Sequence, residues 1–426
     1  MNRTYKDILV IGFALFSMFF GAGNVIFPPY LGLGCGSQWF LGFVCYYLAD
    51  IGLALLALFA ILRCGGPEAI LCRTGQLPSK LLMSAIVLCI GPMLAIPRTA
   101  ATTYEMSLSP LVSGFSPLLF SLLFFALILL LCLKESAVVD IVGKVLTPAL
   151  LIGLLILIVK GILSPIGPVP NRVLVESVPV TGIEAGYQTM DVLAAMVFGI
   201  IVLKSAGEKG YTHRKTQFQV VAGAGLVAGL ALLFVYLGLT YLGVTASKFF
   251  DLSVPRTFLV ISIVRNLLGT GGTILFSIIV ALACITTAVA LVSSAASYFS
   301  KLSGNRLSYK HLVIGISVFS ALVSNVGLDQ IVSLAAPILS IVYPPTLILI
   351  LLSLAGNRVK SDLAFQLGAL GALIISLLTV ATDYGFSPAF LQHLPLHNLG
   401  FGWLLPSLLF ALLGAVLDRA KTAKNM

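Results

Sequence analysis

Twelve long runs of apolar residues run through this sequence, and few folds can accommodate them. Each run is close to the roughly 20 residues that a helix needs to cross a hydrocarbon layer of about 30 Å. The runs lie near 8–33, 38–62, 79–104, 114–133, 141–163, 183–204, 217–242, 272–300, 310–326, 332–355, 363–382 and 400–418. Runs such as 118–133 lack the alternation of polar and apolar residues that is typical of barrel strands. A helix forms all its backbone hydrogen bonds within its own segment, as lipid requires. The sequence therefore predicts an all-α polytopic membrane protein with about 12 transmembrane helices.

The low content of charged residues excludes most soluble classes of protein. Of the 426 residues, 59% are hydrophobic and only 9% are charged, whereas a soluble domain carries roughly 25% charged residues. The net charge of +10 comes from basic residues in short loops. We interpret it as contacts with lipid headgroups, not with nucleic acid. The sequence predicts one transmembrane domain over residues 1–426 and carries no indication of an oligomeric state.

The distribution of lysine and arginine predicts the orientation. If the N-terminus is inside, twelve spans return the C-terminus to the same side, and most of the 25 Lys and Arg residues then lie inside. Cytoplasmic loops of membrane proteins carry this excess. We therefore expect a multi-pass protein of the cell (inner or cytoplasmic) membrane with both termini in the cytoplasm.

The first apolar run contains residues that interrupt a helix near its middle. Gly21, Gly23 and Asn24 lie there within a few residues of one another. An interruption frees backbone amides and carbonyls to face a ligand, and the N-terminus of the following half-helix favours a carboxylate. The alternative is a patch of small residues at which two helices pack.

The sixth run carries a second polar interruption, from Tyr187 to Asp191. It comes five runs after the first, as expected of two inverted repeats over about 8–163 and 183–355, with peripheral helices over about 363–418. An aspartate inside a membrane span costs about 2.5–3.5 kcal/mol on insertion scales, so Asp191 is a candidate functional residue. The alternative is an aspartate at the membrane interface, near a helix start, where the helix dipole stabilises it.

Three other runs contain isolated polar residues. Thr286 and Thr287 in the eighth run could supply hydroxyl ligands to a cation such as sodium, or could bond back to the preceding turn of their own helix. Asp50 in the second run could exchange a proton or form half of a buried pair. Arg98 lies in a third run that glycine and proline are expected to kink, and it could pair with an acid or extend to the interface.

No group of residues predicts enzymatic chemistry or a covalently bound cofactor. His393 and His397 have the spacing of two helical metal ligands, but their proline-containing loop offers no third ligand, so we expect no metal there. Nucleotide-binding, serine hydrolase and zinc protease motifs do not occur. The sequence therefore favours a transporter over a membrane-embedded enzyme, and over a channel, which would not need two broken helices.

Three motifs closely resemble the branched-chain amino acid:cation symporter (LIVCS) family of bacteria, which has the LeuT-type fold of the amino acid-polyamine-organocation superfamily. They are FGAGNVIFPP at 20–29, GPMLAIPRTA at 91–100 and TMDVLAAMVFG at 189–199. The resemblance extends over essentially the whole chain. It implies a core of five plus five helices in inverted repeats, with two C-terminal helices outside it. It also implies import of leucine, isoleucine and valine by sodium symport with alternating access.

The resemblance further implies roles for individual residues. Backbone amides in the first-helix break would hold the substrate's carboxylate, and carbonyls in the sixth-helix break would hold its ammonium, reinforced by Asp191. The implied substrate-binding residues are Gly21, Ala22, Gly23, Asn24, Tyr187, Gln188, Thr189 and Asp191. The implied sodium ligands are the carbonyls of Ser17, Phe20 and Ala283 and the hydroxyls of Thr286 and Thr287. An apolar pocket for the aliphatic side chain is implied without assigned residues.

An acid at Asp50 departs from the family pattern and keeps a second interpretation open. The chain could instead be a proton-coupled symporter, or an exchanger, of another small zwitterionic amino acid, with Asp50 or Asp191 exchanging the proton. In both interpretations the partners are a small amino acid, a coupling ion (sodium or a proton) and membrane lipids.

Overall fold

The computed structural model describes residues 3–112, 114–133, 137–386 and 388–424, and these residues contain helices and connecting loops but no β-strand. The all-helical architecture confirms the predicted fold class. The α-helices are α1 (Arg3–Phe19), α2 (Ala22–Cys35), α3 (Trp39–Tyr47), α4 (Leu53–Cys64), α5 (Pro67–Leu71), α6 (Gln76–Leu88), α7 (Ala95–Thr103), α8 (Pro117–Leu133), α9 (Ala137–Leu163), α10 (Val178–Thr189), α11 (Asp191–Glu208), α12 (Arg214–Ala246), α13 (Arg256–Leu302), α14 (Tyr309–Ser324), α15 (Leu328–Ala355), α16 (Asp362–Thr382) and α17 (Leu404–Lys424). Wider π turns follow three of them, at Leu48–Gly52, Cys89–Met93 and Tyr104–Leu108.

Several helical stretches in the described part of the chain are suited to a bilayer. Seven are long and apolar enough to cross one: Ala22–Cys64, Gln76–Leu108, Val178–Glu208, Arg214–Ala246, Arg256–Leu302, Leu328–Ala355 and Asp362–Thr382. Pro117–Leu133, Leu150–Leu163 and Tyr309–Ser324 are shorter apolar helices. Every apolar run predicted from the sequence coincides with one helix or with two consecutive ones. Most bounds differ by a few residues, but α13 begins at Arg256, 16 residues before the predicted run 272–300. The chain is a multi-pass membrane protein.

The first predicted run is divided into two helices. α1 ends at Phe19 and α2 begins at Ala22, and Gly21 between them is extended, with φ −109° and ψ −170°. The expected interruption is therefore confirmed, but it comes slightly earlier than the glycine and asparagine pattern suggested. Gly23 and Asn24 lie in the first turn of α2, where backbone amides have no partner within the helix.

The sixth predicted run is also divided. α10 ends at Thr189 and α11 begins at Asp191, while Met190 between them has a left-handed backbone with φ 67° and ψ 17°. A residue other than glycine held in this conformation costs of order 1–3 kcal/mol, and such strain concentrates at functional sites. Asp191 is the first residue of a half-helix, where the dipole favours an acid. Asp191 thus begins a helix, as the alternative interpretation had it, but it is buried at the break within the sixth run.

The third predicted run is kinked where glycine and proline were expected to bend it. Gly91 departs from helical geometry, with φ −99° and ψ −129°, inside the π turn that joins α6 to α7. Proline at the next position lacks the amide hydrogen that a continuous helix needs. The predicted kink is confirmed, and it sets the direction in which α7 presents Arg98.

Glycines bring α2 into backbone contact with α12. A Cβ atom on Gly32 would overlap the carbonyl oxygen of Thr240, and one on Gly243 would overlap the carbonyl oxygen of Pro29. Small residues allow this close approach between membrane helices. The contact holds the half-helix that follows the first break against α12.

A second glycine contact joins α10 to α3 and the π turn after it. Gly182 and Gly186 are one helical turn apart, and a Cβ atom on Gly186 would lie 2.9 Å from both the carbonyl oxygen of Tyr46 and the Cβ of Ala49. This packing brings the end of α10 against the turn that carries Asp50. The two glycine contacts thus position both helix breaks.

We expect Gly243→Ala to lower the thermal unfolding midpoint of the purified protein in detergent. The added methyl group would meet the backbone of α2, which cannot rotate away, and overpacking typically costs about 1–3 kcal/mol. Gly315→Ala in α14 is a matched control, because no heavy atom lies within 4 Å of its Cβ position. Equal midpoints for the two variants would contradict the close contact between α2 and α12.

Candidate functional site

A narrow cavity of about 40 Å³, room for a few water molecules, lies where the two helix breaks meet. Sites for small molecules commonly lie between helices, and this one must widen to hold an amino acid. Residues of both breaks line it, together with polar residues of α7 and α13: Gly21, Ala22, Asn24, Thr189, Met190, Asp191, Arg98, Thr99 and Thr287. The three motifs at 20–29, 91–100 and 189–199 thus all contribute residues to one cavity.

The rest of the cavity wall is apolar. It consists of Met18, Phe19, Ile90, Ala95, Ala194, Phe198 and Leu291. None of these residues could be assigned to a side-chain pocket from the sequence, because they look like any other apolar residues in a membrane helix. Only the packing of α1, α7, α11 and α13 distinguishes them.

Asn24 links the two helix breaks. Its Nδ2 atom donates a hydrogen bond to Oδ2 of Asp191, with 2.8 Å between the atoms, and another to the hydroxyl oxygen of Tyr236 on α12. All three side chains are buried. Tyr236 was not predicted as a site residue, although it is, like Asn24, a residue with a polar group in the middle of an apolar run.

Asp50 and Thr189 extend the group of Asn24, Asp191 and Tyr236, and together these five residues form a buried polar cluster. It is fully buried in its π turn, and its Oδ1 accepts a hydrogen bond of 2.7 Å from the Thr189 hydroxyl. Its Oδ2 has no hydrogen-bond partner among the described residues, and its carboxyl group interacts with that of Asp191. Since Arg98 is the basic side chain at this site, two carboxyl groups face one guanidinium. Buried charge must be compensated, so this excess of acid favours a cation or a proton.

Arg98 holds the end of α10. Its Nη1 donates to the carbonyl oxygen of Gln188 at 2.5 Å, and its Nη2 donates to that of Thr189 at 3.2 Å. A positive charge is favourable at the C-terminus of a helix, where carbonyl groups lack partners. The family resemblance implied that carbonyls in this break receive the substrate's ammonium. In this structure the buried guanidinium of Arg98 occupies two of them.

The residues implied as sodium ligands come together only in part. Thr287 lines the cavity, and its methyl carbon would lie 3.8 Å from a Cβ on Gly21, so α13 adjoins the first break. The Thr286 hydroxyl donates to the carbonyl oxygen of Ala283 at 2.9 Å, which is the bond to the preceding turn considered as the alternative. Ser17 lies in the last turn of α1, and Phe20 follows the helix directly. Both are next in sequence to Met18 and Phe19, which line the cavity.

Three of the implied substrate-binding residues lie outside the cavity wall. The ring of Tyr187 stacks on Tyr343 of α15, with 4.5 Å between ring centroids. Gln188 contributes its carbonyl to Arg98, and its buried Oε1 has no partner in the described part of the chain. Gly23 packs against Arg98, since a Cβ there would lie 2.9 Å from Nη2. These residues surround Arg98 and the end of α10.

The loop histidines form no larger cluster in the structure. His393 is exposed, and its Nδ1 lies 3.0 Å from the carbonyl oxygen of Ala389. Within the described ranges no three His, Cys, Asp or Glu residues are arranged to hold a metal ion.

We expect Thr189→Val to destabilise the protein more than Thr346→Val does. The Thr189 hydroxyl lies 2.7 Å from Oδ1 of the buried Asp50 and 2.6 Å from the carbonyl oxygen of Gly186, so its one hydrogen is shared between a carboxyl group and its own helix. The variant leaves Asp50 short of this donor, at a cost of about 1–3 kcal/mol. Thr346 is equally buried, but its hydroxyl only adds a bond to the carbonyl of Val342 in its own helix. Thermal unfolding of both purified variants measures the difference. A smaller loss for Thr189→Val would contradict the role of its hydroxyl.

Solved transporter structures share this fold. One is a Na⁺-coupled sialic acid symporter in a substrate-bound outward-open state, with a TM-score of 0.63, 16% sequence identity, and coverage of 96% of this chain and 90% of that one. Another is Mhp1, a nucleobase-cation-symport-1 family transporter in a closed conformation, with a TM-score of 0.63, 15% identity, and coverage of 97% and 93%. At this level of identity the likeness concerns the fold alone.

Proteins with similar sequences show the family to which the chain belongs. The family model described as "Branched-chain amino acid transport protein" matches residues 4–421. The branched-chain amino acid permease BraB of Bacillus subtilis is 36% identical over 425 residues, covering 97% of this chain and 95% of the relative. The branched-chain amino acid transport system 2 carrier protein of Pseudomonas aeruginosa is 36% identical over 424 residues, covering 97% and 96%. The permease BrnQ of Escherichia coli K12 is 33% identical over 429 residues, covering 97% and 96%. The chain belongs to the branched-chain amino acid transport protein family.

Proposed function

We propose that this protein imports leucine, isoleucine and valine by sodium symport through alternating access. The observation that carries the proposal is the cavity between the two helix breaks, because it combines an apolar wall with charged and polar groups. A branched-chain amino acid needs both kinds of surface: the aliphatic side chain requires apolar contacts, and the zwitterionic end requires compensating charge. The permeases named above supply the class of substrate.

The proposed sodium site lies between the end of α1 and the middle of α13. Sodium is a hard cation that favours oxygen ligands, here the carbonyls of Ser17, Phe20 and Ala283 and the hydroxyls of Thr286 and Thr287. Thr287 already lies beside the first helix break. For Thr286 to act as a ligand, its hydroxyl must share its oxygen with the ion while still donating to Ala283. An ion held by both helices would stabilise one arrangement of them over others, which is how binding is coupled to movement.

The proposed architecture has twelve membrane crossings. Helices 1–5 and 6–10 would form inverted repeats over about 8–163 and 183–355, with peripheral helices over about 363–418. Two observations support it: a helix occupies each predicted run, and breaks occur in the first and the sixth of them. The excess of lysine and arginine on one side supports cytoplasmic termini in the cell membrane.

A second candidate is proton coupling. Asp50 and Asp191 interact in a buried site, and Oδ2 of Asp50 lacks a partner within the described residues. Two adjacent carboxyl groups bind a proton readily, because both cannot be ionised at low cost. A proton could therefore take the place of sodium as the coupling ion.

We expect reconstituted protein to take up radiolabelled leucine when a sodium gradient is imposed, and not with a potassium or proton gradient alone. Isoleucine and valine should compete with the label, because an apolar wall offers no polar contact that would distinguish the three aliphatic side chains. Uptake driven only by protons would contradict sodium coupling and favour the acid pair as the coupling site. An absence of leucine uptake under every gradient would contradict the proposed substrate.

We expect Thr287→Val to reduce the sodium stimulation of leucine uptake by about tenfold or more. The change removes a hydroxyl ligand at nearly constant volume, so the fold should persist. Thr379→Val in α16 is a matched control, because its hydroxyl bonds only to the carbonyl of Ile375 in its own helix. Initial uptake rates over a range of sodium concentrations measure the effect. Unchanged sodium dependence in Thr287→Val would remove α13 from the proposed ion site.

A further inference from the structure

A guanidinium group lies buried in the wall of the central cavity. Arg98 is 4% exposed and lines the cavity, and two of its nitrogens bond to the end of α10. Its Nε is buried and has no hydrogen-bond partner among the described residues. A guanidinium carries five N–H donors, so bonds to two carbonyls leave donors unused. These donors suit an acceptor that the described residues do not supply.

The first turn of α2 lies directly beside this guanidinium. Nη2 of Arg98 would lie 2.9 Å from a Cβ on Gly23, and Gly21 and Ala22 line the cavity. The helix has 14 residues, and no side chain caps its N-terminus. Its first amides therefore lack partners within the helix and carry partial positive charge. Guanidinium and amide donors converge here, as they do at carboxylate-binding sites.

Asp191 supplies the opposite charge to the same cavity. One of its oxygens accepts from Asn24, and the ion pairs formed within the described residues include neither Asp191 nor Arg98. The two charged groups thus line one small space and attract each other, but they form no direct ion pair there. An α-amino acid carries a carboxylate and an ammonium on a single carbon, so it could contact both groups at once.

We infer that the Arg98 guanidinium binds the carboxylate of the transported amino acid beside the first turn of α2. The resemblance already implied the first break for the carboxylate and Asp191 as an aid to the ammonium, and with Arg98 on the carbonyls of α10 Asp191 becomes the main group for the ammonium. The inference deepens the proposed function and rests on it. It moves the ammonium away from the carbonyls of Gln188 and Thr189, which Arg98 holds. If the Arg98 guanidinium binds the substrate in this way, tight binding requires that the substrate carry a carboxylate. Amides of amino acids, which lack that group, should be rejected.

Competition against radiolabelled leucine tests the inference with two analogues of leucine. Leucinamide retains the ammonium but lacks the carboxylate, and 4-methylpentanoate retains the carboxylate but lacks the ammonium. For full-length wild-type protein in detergent, leucine should bind about 10-fold to 100-fold more tightly than leucinamide, since charge-assisted hydrogen bonds have that strength. In Arg98→Gln this ratio should fall to a few-fold.

Asp191→Asn gives the reciprocal measurement. It should reduce the preference for leucine over 4-methylpentanoate and leave the preference over leucinamide in place. Arg98→Lys should retain part of the carboxylate preference, because the charge remains but the forked geometry is lost. Arg73→Gln is the control, because Arg73 pairs with Asp362 away from the cavity, and its ratios should equal those of the wild type. A wild-type ratio of leucine to leucinamide in Arg98→Gln or Arg98→Lys would overturn the inference.

A structure of the full-length wild-type protein with leucine bound decides the matter if the Arg98 variants do not fold. A leucine carboxylate oxygen within hydrogen-bond distance of the guanidinium supports the inference, and a carboxylate that contacts other groups instead overturns it. Failure of the proposed function is distinguishable. In that case the wild-type protein itself fails to bind leucine, whereas failure of the inference leaves leucine binding intact and changes only the selectivity pattern.

Discussion

Backbone groups that a helix cannot satisfy are the constraint around which the site is built. Two spans stop being helical within apolar sequence, and every amide or carbonyl freed there needs another partner, because lipid offers none. At the end of α10 the guanidinium of Arg98 takes the carbonyls of Gln188 and Thr189. At the start of α2, Gly21 and Ala22 line the cavity, and Gly23 packs against that same guanidinium. The group that stabilises one break therefore also contributes to the electrostatics of the other.

Close packing through glycine makes this arrangement possible. α2 and α12 meet backbone to backbone at Gly32 and Gly243, and α10 meets the turn of Asp50 at Gly186. Larger residues would move these helices apart by more than a hydrogen bond can tolerate, and the links from Asn24 to Tyr236 and from Thr189 to Asp50 would be lost. The polar cluster thus depends on small residues: Gly32 and Gly243 at the contact between α2 and α12, and Gly186, whose carbonyl oxygen also lies 2.6 Å from the Thr189 hydroxyl.

The fold alone does not define which substrate is transported. Solved transporters with the same fold differ from this chain at most positions, and folds of this kind host unrelated substrates. In the proposed function, selectivity comes from the side chains that line the cavity, where Arg98 and Asp191 combine with an apolar wall. The charged residues suit a zwitterion, and the wall formed by residues such as Phe198 and Leu291 suits an aliphatic side chain.

The sequence by itself determined the all-helical membrane architecture, because apolar runs of bilayer length permit little else. It also located both helix breaks to within a few residues, since glycine, asparagine and aspartate rarely occur together in the middle of such runs. Only the tertiary structure decided which groups meet. It joined Asn24 to Asp191, placed Thr189 on Asp50, and turned Arg98 onto the carbonyls of α10. It also selected the apolar wall from many similar residues. Hydrogen bonds between residues far apart in sequence depend on helix packing, and no local pattern records which face of a helix its neighbours will cover.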